Sequence, residues 1–149
     1  MVQLQPRVIK NVLSNLKETS YPRFGQMSPQ QMVEHLEEMF DISMGKIEVE
    51  VFTPEEKLGK WKHFLMSDLP FKPFKSPRNE GGLPPLVHGD LDIAKKALQD
   101  KVKEFHAYYK DHPAAQALSP AFGPLSYYEW KKFHGKHLQH HFRQFKLIQ

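Results

Sequence analysis

The stretch Ser126-Tyr-Tyr-Glu-Trp130-Lys-Lys-Phe-His134-Gly-Lys-His137-Leu-Gln-His140-His141-Phe-Arg-Gln144-Phe145 decides how the chain is read, because four of its nine histidines fall between positions 134 and 141 of one helix-patterned segment. At ~100° per residue, Trp130, His134, His137, His141, Gln144 and Ile148 lie along one stripe, flanked by Phe133 and Phe145. Three imidazoles therefore sit on the face that packs inward. His137 and His141 are one turn apart, ~6 Å along the axis, so their rings can converge on a single ion. His134 and His141 are ~10.5 Å apart, too far to share an ion easily. That leaves His134 as a support for the ligands, and His140, at the edge of the stripe, as a partner or a surface residue.

The helix opens at Phe122-Gly123-Pro124-Leu125-Ser126-Tyr127-Tyr128-Glu129, where Ser126 and Glu129 are spaced as a capping box. Phe24-Gly25-Gln26-Met27-Ser28-Pro29-Gln30-Gln31 has the same form: Ser28 N-caps, Pro29 suits the first helical position and Gln31 closes the box. The helix launched there runs to about Ser43. It turns Met32, His35, Leu36, Met39 and Ile42 inward and Glu34, Glu37 and Asp41 outward, with Glu38 at the stripe's edge. His35 is thus a further inward-facing histidine.

Pro6, followed by Val8, Ile9, Val12, Leu13 and Leu16 at helical spacing, marks a first helix of about a dozen residues. Asp90 caps another, with Leu91, Ala94, Leu98, Val102, Phe105 and Tyr109 as its apolar stripe, ending by His112-Pro113. Between the second and third of these four helices lies a long connection, residues 44–89. It carries a short helix from a Thr53-Pro54-Glu55-Glu56 cap to about Ser67. Beyond Asp68, closely spaced prolines and glycines rule out regular structure as far as Gly89.

Depth along each helix constrains the topology. His35 lies ~10 Å past its cap, His137 and His141 ~16 and ~22 Å past theirs, so only antiparallel helices bring His35 level with His141. The long connection can cross the bundle and let the second and third helices run the same way. The expected fold is a single all-α domain over residues 1–149: an up-down-down-up four-helix bundle with an extra short helix in the crossover.

With no cysteine in the chain, a metal must be held by imidazole and carboxylate. Three neutral imidazoles with an open position make the donor set of a catalytic zinc-type site, and nickel, iron or cobalt also accept it. An ion there lowers the pKa of a bound water toward neutrality or holds an added thiol as thiolate. Glu38 is a candidate base or extra ligand, or else a solvated carboxylate. Lys136 and Arg143 flank the stripe, where they either steer an anionic thiol or simply face solvent. The net charge of +4 is spread along helices among acids rather than collected in a block. Phe71-Lys-Pro-Phe74-Lys-Ser-Pro-Arg78 is basic and aromatic, but its phenylalanines are expected to pack on the bundle or on a second subunit rather than stack on nucleic acid. No apolar run reaches the ~18 residues of a membrane span, and no apolar leader is present, so a cytoplasmic protein with no membrane partner is expected.

At His35 and at Trp130 with His137-Leu-Gln-His140-His141-Phe-Arg-Gln144-Phe145, the chain resembles the DinB-like metalloprotein superfamily, which includes bacterial bacillithiol and mycothiol S-transferases. The Phe-Gly starts before both histidine-bearing helices are similar to one branch of that superfamily without an assigned activity. The resemblance implies a four-helix bundle, often dimeric, with a divalent metal on three histidines, which map to His35, His137 and His141. Characterised members of the superfamily transfer a low-molecular-weight thiol to an electrophile or isomerise a substrate with its help. The functional expectation is a metal-dependent enzyme whose Zn2+ or Ni2+ activates such a thiol, or water, toward a small-molecule substrate, S-transferase-like or hydrolase-like. The alternative is a non-catalytic bundle whose histidines form a polar core or a metal staple.

Overall fold

Apolar spacing and capping set the elements of the chain, and the computed structural model describes residues 1–149. In order they are α1 (Pro6–Leu13), α2 (Pro29–Ser43), α3 (Leu58–Met66), α4 (Leu91–Asp111), β1 (Gln116–Ser119), β2 (Gly123–Ser126) and α5 (Tyr127–Gln144). Both capping boxes are formed: Ser28 with Gln31 opens α2, and Ser126 with Glu129 opens α5. Asp90 accepts from the Ile93 amide at the head of α4. Each cap satisfies backbone N–H groups that have no partner within the helix.

Helix directions follow from which residues meet. Along α2 the contacts run Phe24 to Gln144, His35 to His137 and Phe40 to His134, so numbers rise on α2 as they fall on α5 and the two are antiparallel. Phe40 meets Phe105, and the Tyr109 hydroxyl donates to the Ser43 carbonyl, so α2 and α4 run the same way. α1 opposes α4, with Leu4 held by His106 and Leu16 by Lys95. Between these helices lies a core in which Ile9, Leu36, Phe40, Phe105, Leu138 and Phe142 are fully buried. No helix is long and apolar enough to cross a membrane.

The expected all-α four-helix bundle is corrected by this architecture. The chain has five helices and an antiparallel two-stranded sheet, in which Gln116 pairs with Ser126 and Ser119 with Gly123. The segment read as the approach to the last helix is therefore the second strand of a hairpin. Four-residue strands, the first followed by Pro120 and the second containing Pro124, are too short to show a period-2 pattern, and their stability comes from tertiary contacts. Leu125 is fully buried, the Trp130 indole donates to the Ala117 carbonyl at 3.1 Å, and the Phe52 amide donates to the Pro120 carbonyl at 2.9 Å. Gly123 closes the turn at φ +75°, a conformation glycine adopts without the Cβ penalty.

Thr53 is a second correction. Its hydroxyl donates to the Ala121 carbonyl at 2.7 Å and does not cap a helix; the chain instead enters α3 through a 3-10 turn over Glu55–Lys57. The hairpin turn is thus tied to the crossover from both Phe52 and Thr53. α1 ends at Leu13, shorter than its apolar pattern suggests, although Leu16 stays buried beyond it.

Candidate metal centre

The antiparallel pairing of α2 with α5 places His35 opposite the His137–His141 turn. The ligand atoms of these three residues all lie within 4.8 Å of one another. His35 Nε2 is 3.0 Å from His137 Nε2, and His141 Nε2 is 3.1 Å from the same atom. For bonds of ~2.05 Å, a tetrahedral ion has ligand–ligand edges of ~3.3 Å, close to these separations.

Hydrogen bonding fixes one tautomer. His141 Nδ1 is 2.7 Å from the Gln144 side-chain oxygen and must donate to it, because the Gln144 amide nitrogen donates to the Phe24 carbonyl at 3.0 Å. His141 Nε2 therefore carries a lone pair toward the centre. Gly25 makes this relay possible: it has φ +75°, and an added Cβ would lie 3.1 Å from the Gln144 amide nitrogen.

His137 Nε2 holds either one proton or one lone pair, so it cannot be a good partner to both neighbours. If it donates to one, it cannot serve the other; if it accepts from His35, its lone pair opposes that of His141. One of the two short contacts is always unsatisfied among neutral rings, and His137 Nδ1 is itself without a partner. A cation between the three nitrogens would satisfy all three lone pairs, so the donor set fits an ion.

Burial keeps the rings neutral. It drives His35 down to about 4, against the pull of the Glu38 carboxylate. Burial, and then the neighbouring imidazoles, hold His137 and His141 well below the ordinary histidine range. Metal binding therefore need not displace protons from these nitrogens near neutrality.

The other sequence candidates separate. His134 is completely buried, but it bonds to none of the three, and both its ring nitrogens lack partners. It is stacked on Phe40 at 3.7 Å between ring centroids and packs edge-on to Phe105. His140 faces the cavity described below and donates through Nδ1 to the Phe71 carbonyl at 3.3 Å, leaving Nε2 as an acceptor. Glu38 accepts from Arg78 at 3.0 Å and so anchors the proline-rich segment. Lys136 does not flank the site in solvent: it is buried, and its ammonium donates to the carbonyls of Phe64, Leu65 and Ser67, closing the C-terminal end of α3. Arg143 donates to the terminal Gln149 carbonyl at the surface.

The three histidines lie at the base of a cavity of about 560 Å³. Its walls come from segments whose role the helix pattern does not reveal: Phe52 and Trp61 from the crossover, Phe71 and Phe74 from the proline-rich arm, and Phe122 from the hairpin turn. Phe71 packs on Phe64, Phe122 and Phe133, and Phe74 stacks on Phe52. The arm is pinned to the acidic face of α2. Besides the Arg78–Glu38 pair, His88 donates to Glu37 at 2.7 Å, and Glu34 accepts from the amides of Val87 and His88. Gln144 was visible in the sequence, three residues after His141 on the same stripe. Phe71 packs on Phe133 of α5, within the expectation that this arm lies on the bundle, but that Phe52, Trp61 and Phe122 join it around one cavity had no comparable signal.

Fold and site together define a protein of five helices and a two-stranded hairpin with a histidine triad at the floor of an aromatic cavity. The chain belongs to the family described as Protein of unknown function (DUF1569), which it matches over residues 7–147. No curated protein and no solved structure matches it.

Proposed function

We propose that His35, His137 and His141 hold a divalent ion, Zn2+ or Ni2+, and that the cavity above them takes a small-molecule substrate for metal-dependent thiol transfer. One observation carries this reading: three neutral imidazole nitrogens, two from buried residues and one from the half-buried His35, converge at 3.0 and 3.1 Å, and no arrangement of their own protons satisfies them. When bound, such an ion supplies Lewis acidity and lowers the pKa of a thiol or water. Gln144 holds His141 in the tautomer that presents Nε2. His140 Nε2 is the protein atom placed to accept a proton at the cavity wall, and the surrounding aromatic rings give an apolar surface for a substrate. The likeness to the DinB-like superfamily rests on the same three histidines.

The cavity lining contains no aspartate or glutamate. The proton acceptor at the wall is thus the His140 imidazole, whose basicity burial lowers; a thiol of pKa near 8.5 needs only a modest shift to ionise, whereas water asks for a stronger base. Thiol transfer is therefore the favoured version, with hydrolysis second. The test is the metal content of the untagged protein by mass spectrometry, wild type beside His137→Ala. About one equivalent in wild type and none in the variant supports the centre; a wild type that stays empty after dialysis against zinc and nickel overturns it. Thiol-dependent loss of a chlorinated nitroaromatic electrophile only in the loaded wild type would then separate an enzyme from a metal staple.

A further inference from the structure

The cavity that admits a substrate also has a charge pattern. Its walls are dominated by the rings of Phe52, Trp61, Phe71 and Phe122, the only formally charged side chains in its lining are Lys60, Lys72 and Arg78, and no carboxylate is among them. Lys60 and Lys72 are exposed and make no salt bridge, so their charges are free; Arg78 is paired with Glu38. The acidic residues of α2 face a different cavity, on the other side of His35, lined by Glu34, Glu37, Glu38 and Asp41. Because its two free charges are both cationic and its walls apolar, the cavity attracts one kind of small molecule: an apolar body with a single negative end. At about 560 Å³ the space suits a body of one or two aromatic rings or a medium acyl chain.

We infer that the cavity selects an amphipathic monoanion, an aromatic or acyl acid whose apolar part lies among the rings while its anionic group meets Lys60 and Lys72. This rests on the proposed function only in taking the same cavity as the binding site, and it does not require the ion. A neutral hydrocarbon would forgo the cationic mouth. A hydrophilic anion would leave the aromatic walls unfilled. A cation would meet like charge at the entrance and, with a metal bound, at the floor as well.

Two fluorescent probes with the same aromatic body test it: anilinonaphthalene sulfonate and the uncharged N-phenylnaphthylamine. Both are titrated into chelator-treated, folded protein, with metal content measured on the same preparation. Trp61 lines the cavity while Trp130 is fully buried in the core, so tryptophan quenching that is lost in Trp61→Phe reports occupancy of this site. The expected result is saturable binding of about one sulfonate per chain, about tenfold tighter than the neutral probe, with phenylbutyrate competing. The preference should fall about threefold for each of Lys60→Gln and Lys72→Gln, and reverse in the doubly substituted Lys60→Glu, Lys72→Glu protein. Both side chains are exposed, so these variants keep the fold.

Equal or tighter binding of the neutral probe, a preference indifferent to both lysines, or no saturable binding of either probe overturns the inference. A preserved preference in protein that takes up no metal leaves this inference standing and removes the metal centre. Metal uptake without the preference does the reverse.

Discussion

His134 and His137 are one turn apart on α5, both buried, both held neutral by burial, and both with ring nitrogens that find no protein partner. Their surroundings differ in kind. His134 is enclosed by Phe40, Phe105, Trp130 and Phe133, rings that offer no lone pair. His137 has two imidazole nitrogens within 3.1 Å and an open cavity beside it. Burial and a depressed pKa therefore do not mark a ligand; convergence of donor atoms does. The first residue acts as a flat core ring, the second as the hinge of a donor set.

The largest test of that contrast is truncation of each ring. His134→Ala should cost about 3–5 kcal/mol in urea denaturation, the range for emptying an aromatic-sized core site, while metal stoichiometry stays unchanged. His137→Ala should lose the metal and cost less stability in the metal-free state, because its ring borders a cavity. An equal loss of metal in both variants would erase the distinction.

Acid titration sharpens it next. In the unfolded chain these imidazoles titrate near pH 6.5, whereas folded His134 stays neutral well below that. Between those limits the unfolded state binds more protons, so stability falls as pH drops below 6.5, by up to about 1.4 kcal/mol per pH unit for each such histidine, and is flat above it. The share owed to His35 ends near pH 4, where its folded form titrates. For metal-free protein, the unfolding free energy from urea titrations across this window should fall less steeply in His134→Phe, by up to about 1.4 kcal/mol per pH unit. An unchanged slope would mean that His134 is not the neutral core ring described here.

Gln144→Leu keeps the bulk but removes the acceptor that fixes the His141 tautomer. Metal affinity should weaken about tenfold to a hundredfold, read by competition with a chelating dye, and the metal-free protein should lose about 1–3 kcal/mol because the Phe24 carbonyl and the His141 Nδ1 proton lose their partner. Lys136→Met probes a third buried polar group of the same helix, one that is fully satisfied by three carbonyls. It should lower stability by about 2 kcal/mol without touching metal affinity. A drop in affinity instead would place Lys136 in the site.

Much of the helical framework was legible because local chemistry writes it. Ser28, Asp90 and Ser126 announce helix starts whose orphan N–H groups need an acceptor within a few residues, and that need is met by neighbours in sequence. The facing of His35, His137 and His141 was legible too, since a helix turns ~100° per residue whatever surrounds it. The hairpin was not. Ser119, Gly123 and Leu125 carry little strand signal of their own, and their pairing is held by Phe52, Thr53 and Trp130 from distant positions.

By itself the sequence determined the caps at Ser28, Asp90 and Ser126, the histidine stripes and the lack of any thiolate ligand, all of which depend on residues a few positions apart or on composition. Only the tertiary structure decided that His134 is sealed between rings, that Lys136 closes α3, and that Phe52, Phe71 and Phe122 wall a cavity with a cationic mouth. Those outcomes depend on which segments meet across the fold. The energies that choose among such meetings are those of burial and of hydrogen bonds between partners far apart in the chain, and no local periodicity encodes them.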